Sequence, residues 1–185
     1  NGVGVLHPHG ALATDPPGLI VCDVDSTVTR TEAIDLLAEC AGKADEVREI
    51  TARAMVGELD FTQSLYARVR CLEGLHIGAL EEAWKATVIT PGTAELVAAA
   101  HDVGAAVGLV SGGFTAIVDP LAEQIRADFA ASNELEIVDN HLTGRVVGDI
   151  IDRAAKATWL RRWASERGVA LERTIALGDG ANDLD

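Results

Sequence analysis

The sequence predicts an α/β fold built on an open parallel sheet, and two observations carry this prediction. Short apolar segments of the kind that is buried in parallel sheets occur at residues 19–23, 105–113 and 174–177. Segments with the apolar spacing of helices lie between them. This alternation of strands and helices is typical of a sheet that is covered by helices.

The first part of the chain is interpreted as a linker, a strand and an inserted helical block. Residues 1–18 are rich in Gly, Pro and Ala, which indicates a linker or the stub of an upstream module. After the first strand, helical spacing predicts five helices, at residues 32–42, 44–57, 61–75, 77–88 and 91–104. The block at 31–90 is too long for one crossover and is predicted to be an insertion, which leaves 19–30 and 91–185 as the core.

The second part of the chain returns to alternating elements. A helix is predicted at residues 114–127 and another at 153–168. Between them, residues 133–150 alternate apolar and polar side chains around Asp139-Asn140, which indicates two antiparallel strands. The strand at 174–177 is followed by a Gly-rich turn that enters a further helix.

Composition excludes some function classes. The chain has 15 basic and 29 acidic residues, a formal net charge of -14, which argues against binding of nucleic acid or of an anionic membrane surface. Its three cysteines are widely spaced and form no zinc pattern, so reduced thiols are expected. No segment reads as a signal peptide or a membrane span. The sequence therefore predicts a cytoplasmic protein.

Polar, glycine-assisted motifs follow each of the three apolar strands. They are Asp23-Val24-Asp25 with Ser26 and Thr27, the residues 111–113 (Ser-Gly-Gly), and residues 178–183 (Gly-Asp-Gly-Ala-Asn-Asp). Ligands bind beyond the carboxyl ends of the strands in open parallel sheets, so these motifs are expected to meet at one edge. Several carboxylates gathered there need a cation, and oxygen ligands suit Mg²⁺.

The residue types at this edge point to phosphoryl transfer. Asp23 is a candidate nucleophile, and Asp25, one strand period away, is a candidate general acid and base whose pKa is raised by repulsion from Asp23. Ser111 and the neighbouring glycine amides are suited to hold phosphoryl oxygens, and Lys156 to neutralise charge. Each signal alone has an ordinary structural explanation, a turn, a helix cap or a surface lysine. The prediction depends on these signals occurring together, one after another, at the ends of three strands.

These motifs resemble those of the phosphoserine phosphatase family of the haloacid dehalogenase (HAD) superfamily. The residues that carry the resemblance are DVDST at 23–27, SGGF at 111–114, Lys156 and GDGAND at 178–183, and it extends over residues 19–185. It implies a HAD-like Rossmannoid fold with an inserted helical cap and a β-hairpin. It also implies Mg²⁺-dependent hydrolysis of O-phospho-L-serine to L-serine and phosphate through an aspartyl-phosphate, the last step of serine biosynthesis.

The resemblance also implies roles for individual residues. Metal ligands would be Asp23, the carbonyl of Val24, and Asp179, with Asp183 in the surrounding shell. Residues implied to contact the substrate are Glu32, Met55, Phe61, Arg68, Ser111, Gly112, Lys156 and Asn182. Glu32 would face the amine and Arg68 the carboxylate, which a guanidinium can grip with two hydrogen bonds.

Other interpretations stay open at this stage. The family normally continues beyond the GDGAND turn, so the core is expected to be truncated at the C-terminus, and the chain could be an inactive fragment. The same chemistry could serve another small phosphomonoester, although Glu32 and Arg68 favour an amino acid. A receiver-like phospho-aspartate domain is a further alternative, disfavoured by Asp25 and the cap. A homodimer is left open.

Overall fold

A computed structural model describes residues 10–180 of the chain. Five strands in this part form one sheet in the order β4-β3-β2-β1-β5. The strands are β1 (Leu19–Cys22), β2 (Ala106–Phe114), β3 (Phe129–Val138), β4 (His141–Val147) and β5 (Thr174–Leu177). The helices are α1 (Ala33–Cys40), α2 (Ala44–Met55), α3 (Phe61–Arg70), α4 (Gly78–Ala86), α5 (Thr93–Asp102), α6 (Thr115–Ile125) and α7 (Arg153–Glu166). The predicted α/β class, with its mostly parallel sheet, is confirmed.

Strand β1 lies between two parallel neighbours that come from distant parts of the chain. Leu19 is opposite Ala106 of β2 on one side and Thr174 of β5 on the other. All four residues of β1 are buried, as expected for a strand that is covered on both faces. The carboxyl end of β1 is therefore flanked by the carboxyl ends of β2 and β5.

Strand β3 begins earlier than the sequence predicts. Its first residues pair in parallel with β2, with Gly108 opposite Phe129 and Val110 opposite Ala131. Its later residues pair antiparallel with β4, from Glu134 to Val138. The sequence predicted only the antiparallel part, because residues 129–133 include Ala, Ser and Asn, which are weak strand formers.

The Ser-Gly-Gly motif also differs from its predicted turn. It lies inside β2, which continues through Phe114 and passes directly into α6 at Thr115. The register with β3 shifts between Val110 and Phe114. The motif is thus an irregular segment of strand, and such irregularities re-aim backbone groups next to functional sites.

Three clusters of buried apolar residues hold the elements together. One cluster covers one face of β1 and β2 with α5 and α6. A second covers the opposite face with α7, where Trp163 packs against Gly108 so closely that a Cβ there would lie 2.7 Å from the indole. The third joins α1, α3 and α4 to β3 and β4 through Leu37, Leu65 and Leu135. Helices α1, α3 and α4 are therefore anchored on the hairpin.

The described part of the predicted linker is partly ordered against the core. Residues Gly10–Ala13 form a short 3₁₀ helix. The guanidinium of Arg173 donates to the carbonyl of Pro16 at 3.0 Å, and a Cβ at Gly18 would lie 2.8 Å from Val169. Among residues 10–180, no helix is long and apolar enough to cross a membrane.

Candidate active site

Asp23 is placed by β1 and fixed by neighbours on both sides. Its backbone is extended, and its N–H donates to the carbonyl of Leu177 at 2.8 Å, which continues the pairing with β5. Its Oδ1 lies 2.8 Å from Nζ of Lys156, and the two side chains are only 9% and 12% exposed. Lys156 is in the first turn of α7, which is capped by Asp152 accepting from the N–H of Ala155 at 2.8 Å. The pair is thus a largely buried ion pair.

Asp25 is held in the turn that follows. Its Oδ1 accepts the N–H of Ala33, the first residue of α1, at 3.0 Å, and its Oδ2 accepts the hydroxyl of Ser111 at 3.2 Å. The pKa of Asp25 is raised to about 6, mainly by burial; its hydrogen bonds with Ala33 and Ser111 lower the pKa, and the charges of Glu32 and Asp23 raise it. The sequence predicted this direction of the pKa, but burial and not repulsion is the largest cause.

We expect the substitution Asp25→Asn to stabilise the metal-free protein above pH 6. The carboxyl binds its proton more tightly in the folded state, at a pKa of about 6, than in the unfolded state, at 3.8. The parent protein therefore loses stability as pH rises from about 4 to about 6, and the amide does not. The gain in unfolding free energy should be about 2–3 kcal/mol at pH 7.5 and should vanish near pH 4.

Urea unfolding in the presence of a chelator, at pH 4 and pH 7.5, measures this difference. The exposed Asp102→Asn variant, at the end of α5, is the control for removing a carboxylate elsewhere. A gain that is the same at both pH values, or a loss at pH 7.5, would contradict the expectation.

The Ser-Gly-Gly segment closes around Asp25 from the β2 side. Ser111 is fully buried, and its hydroxyl accepts the N–H of Gly113 at 2.8 Å while donating to Asp25. A Cβ at Gly113 would lie 2.6 Å from Oδ2 of Asp25, so only glycine fits there. At Gly112 a Cβ would lie 2.7 Å from the ring of Phe61. The lack of a side chain at these two glycines therefore lets Asp25 and Phe61 lie close to the backbone of β2.

Asn133 supports this segment and is a residue that sequence reasoning missed. It is 1% exposed, its Nδ2 donates to the carbonyl of Gly112 at 2.8 Å, and its Oδ1 accepts the N–H of Ile151 at 2.9 Å. It thus ties the Gly112 segment to the chain just before α7. A buried amide inside a strand is unfavourable unless it is fully bonded, and that is the sequence signal that could have identified it.

A cavity of about 470 Å³ opens over these groups, and the helices α1 and α3 form its far wall. Its carboxylates are those of Asp23, Asp25, Glu32, Asp152 and Asp179. Its basic groups are those of Arg68, Arg153 and Lys156. Apolar side chains on the α1 and α3 side are those of Ile34, Phe61 and Leu65. A small ligand with groups of both charge signs suits this lining.

Glu32 and Arg68 stand on the α1 and α3 side of the cavity. Glu32 directly precedes α1, and its Oε1 accepts the hydroxyl of Ser26 at 2.6 Å. Burial lowers the pKa of Arg68 from its ordinary value, while the charges of Glu32, Asp35 and Asp25 oppose that effect. A partly desolvated guanidinium among carboxylates is a strong site for an anionic group of a ligand.

Several predicted residues are not brought into the cavity. Met55, at the end of α2, is 84% exposed and does not line it. The carbonyl of Val24 accepts both the N–H and the hydroxyl of Thr29, at 2.9 and 3.2 Å, so the structure does not support it as a metal ligand. Asn182 and Asp183 lie outside the described residues.

The remaining donors fit a hard divalent cation. The carboxylates of Asp23 and Asp179 line the same cavity and follow two adjacent strands. Between residues 10 and 180, no three His, Cys, Asp or Glu side chains gather closely enough to complete a metal site by themselves. Two carboxylates with space for water and for a phosphoryl oxygen are the environment that Mg²⁺ prefers.

Comparison with known proteins places these features in one family. Residues 20–185 match the family model of the haloacid dehalogenase-like hydrolases. A phosphoserine phosphatase of Streptomyces coelicolor is 54% identical over 184 residues, which are 100% of this chain and 45% of that protein. A phosphoserine phosphatase of Streptococcus thermophilus is 50% identical over 167 residues, 90% of this chain and 78% of that protein.

A solved structure agrees with the sequence matches. It is the phospho-aspartyl intermediate analogue of a phosphoserine phosphatase, 40% identical to this chain, with a TM-score of 0.85 over 92% of this chain and 81% of that one. The chain spans less than half the length of the Streptomyces coelicolor relative.

Proposed function

The chain belongs to the phosphoserine phosphatase family of the haloacid dehalogenase-like hydrolases, and from this premise we propose that it hydrolyses O-phospho-L-serine to L-serine and phosphate. The observation that carries the proposal is the ion pair of Asp23 with Lys156, beside Asp25, in the same cavity as Glu32 and Arg68. The groups proposed to react thus lie on the sheet side of the cavity, and the oppositely charged Glu32 and Arg68 lie on the side formed by α1 and α3.

The first half of the reaction would transfer the phosphoryl group to Asp23. A carboxylate oxygen of Asp23 attacks phosphorus, and the bond from phosphorus to the serine oxygen breaks. Asp25 gives its proton to that oxygen, which a carboxyl with a pKa of about 6 can do near neutral pH. Lys156, 2.8 Å from Asp23, would stabilise the negative charge of the phosphoryl oxygens.

The second half would return Asp23 to its carboxylate form. Asp25, now ionised, takes a proton from a water molecule, and the oxygen of that water attacks phosphorus. The bond between phosphorus and the Asp23 oxygen breaks, and phosphate leaves. The hydrogen bonds from Ala33 and Ser111 hold Asp25 in place for both proton transfers.

We propose that Asp23 and Asp179 hold Mg²⁺ in this cavity. When bound, the ion would supply positive charge that lets the anionic phosphoryl group approach Asp23. Without such a cation, the five carboxylates of the cavity would outnumber its three basic groups and repel a phosphate.

The two cap-side charges favour an amino acid over other phosphomonoesters. Glu32 would accept hydrogen bonds from the ammonium, and Arg68 would bind the carboxylate. A substrate without these groups would leave partly buried charges unpaired, which weakens binding. Asp25 beside the nucleophile disfavours a receiver domain, because it hydrolyses the intermediate that a receiver must preserve. The comparisons favour neither alternative.

We further propose that helices α1–α4, within residues 31–90, act as the cap over the site, with Phe61 next to Gly112 closing it. Gly112, which lines the cavity, would hold a phosphoryl oxygen through its backbone. Ser111, predicted to do the same, is fully buried outside the cavity lining, and its hydroxyl donates to Asp25. A place in serine biosynthesis, a cytoplasmic location and a homodimer remain predictions.

The proposed function is tested by phosphate release from O-phospho-L-serine and from an aryl phosphate, each with Mg²⁺ and with a chelator. We expect release that requires Mg²⁺ and a kcat/KM at least tenfold higher for phosphoserine. Metal-dependent turnover of the aryl phosphate alone would contradict the substrate. No turnover of either compound by a chain shown to be folded would contradict the catalytic proposal.

A further inference from the structure

Ser26 has a backbone conformation that its position does not explain. Its φ and ψ are 58° and 3°, in the left-handed region, which costs a residue with a Cβ about 1 kcal/mol or more. Three other non-glycine residues among 10–180 have a positive φ. Asp139 and Asn140 form the hairpin turn and Arg126 ends α6, both common places for it. Strain of this kind persists where the structure around it requires it.

The contact that accompanies this conformation is a short hydrogen bond to a residue that lines the cavity. The hydroxyl of Ser26 donates to Oε1 of Glu32 at 2.6 Å. A hydroxyl bound to a carboxylate at this distance is a charge-assisted bond. It connects the turn that carries Asp25 with the residue that precedes α1.

Glu32 is held by this bond and not by the helix beside it. Glu32 stands at the N-cap position of α1, but its side chain caps no backbone N–H of that helix. The N–H of Ala33 is instead taken by Asp25. Glu32 lines the cavity, and the one hydrogen bond to its side chain in the described part of the chain comes from Ser26.

We infer that Ser26 is a positioning residue for recognition of the substrate's ammonium group, an inference that rests on the proposed function. By donating to Oε1, Ser26 fixes the rotamer of Glu32 and leaves Oε2 to accept from the ammonium. A short side chain in the left-handed conformation is what lets the hydroxyl turn back over its own loop to reach Glu32. Ser26 thus links the catalytic turn to substrate selection without touching the substrate.

The test compares Ser26→Ala and Ser26→Gly with the parent chain. Both variants remove the hydroxyl, but glycine also relieves the backbone strain. If the role of Ser26 were purely structural, the kinetic constants of the two variants would therefore differ. We expect both variants to raise the KM for phosphoserine and the inhibition constant of L-serine by about 3- to 10-fold. The kcat/KM for an aryl phosphate, which has no ammonium, should change by less than about twofold.

Thr27→Val is the matched control. Its hydroxyl, one residue further on, is buried and makes no hydrogen bond in the described structure, and valine preserves the shape of the side chain. This variant should leave KM and kcat/KM for phosphoserine and for the aryl phosphate unchanged. In a Glu32→Ala background, which has no acceptor for the Ser26 hydroxyl, Ser26→Ala should add less than about twofold to the KM for phosphoserine, because the two residues act through one carboxylate.

Three outcomes would overturn the inference. They are an unchanged KM for phosphoserine in both Ser26 variants, equal losses on phosphoserine and aryl phosphate, and a full additional loss in the Glu32→Ala background. A parent chain that neither hydrolyses phosphoserine nor is inhibited by L-serine would overturn the proposed function, and the role of Ser26 with it.

Discussion

The Asp23→Asn variant is expected to lose turnover of O-phospho-L-serine by at least about 10³-fold in kcat, because an amide cannot attack phosphorus. The substitution preserves the shape of the side chain at the end of β1 and removes only the charge that faces Lys156 at 2.8 Å. Acid quenching of the parent chain during turnover should trap a phosphoenzyme that hydroxylamine cleaves, as expected of an acyl phosphate. The variant should trap none.

The control for this variant is Asp45→Asn, the same change at an exposed position on α2 where Asp45 pairs with Arg48. It should retain full activity. Thermal unfolding must show that the Asp23→Asn protein is folded. If that folded variant kept more than a few per cent of the parent kcat, or still formed the phosphoenzyme, Asp23 would not be the nucleophile.

The Arg68→Ala variant is expected to lose about 30- to 5,000-fold in kcat/KM for phosphoserine, mostly through KM. Truncating one partner of a partly buried, hydrogen-bonded charge pair costs about 2–5 kcal/mol, and the substrate carboxylate would lose its partner in this way. An aryl phosphate has no such carboxylate, so its kcat/KM should change by less than about threefold. The kcat/KM of Arg68→Lys for phosphoserine should fall between those of the parent chain and Arg68→Ala, since lysine keeps the charge but not the planar guanidinium.

Arg70→Ala provides the comparison on the same helix. Arg70 is exposed and lines a separate surface groove with Tyr66 and Gly144. Its removal should therefore leave kcat/KM unchanged for both phosphoserine and the aryl phosphate. Equal losses of kcat/KM on phosphoserine and on the aryl phosphate in the Arg68→Ala variant would place Arg68 in the chemical step and contradict its role in recognition.

The part of the site that depends on strand ends could be predicted from the sequence. Asp23 and Asp25 follow a buried apolar run, and in a parallel sheet the end of such a run must lie at the same edge as the Ser-Gly-Gly and Gly-Asp-Gly motifs. Lys156 lies on a helix that precedes β5, so strand ends did not predict its place, which the family resemblance implied. The structure brings Asp23, Asp25, Lys156 and Asp179 to one cavity.

The part that depends on individual hydrogen bonds could not. Nothing local in the sequence tells that Asn133 bonds Gly112 and Ile151, since its partners are 21 and 18 residues away. The direction of the Val24 carbonyl is likewise set by Thr29 closing the turn. For Asp25, the sequence shows the neighbouring charge of Asp23 but not the depth of burial, which is the larger cause of its raised pKa.

The central place of β1 in the sheet has a consequence for how the chain acquires activity during synthesis. Leu19 pairs with Ala106 and Thr174, so the flanks of β1 are completed only by closing loops of about 90 and about 155 residues. Contacts of such long range make folding slow, and they form late on the ribosome. A nascent chain that has not yet exposed β5 cannot fix Asp23 against Leu177. Catalytic competence should therefore appear all at once, when β5 becomes available to pair with β1, and not gradually.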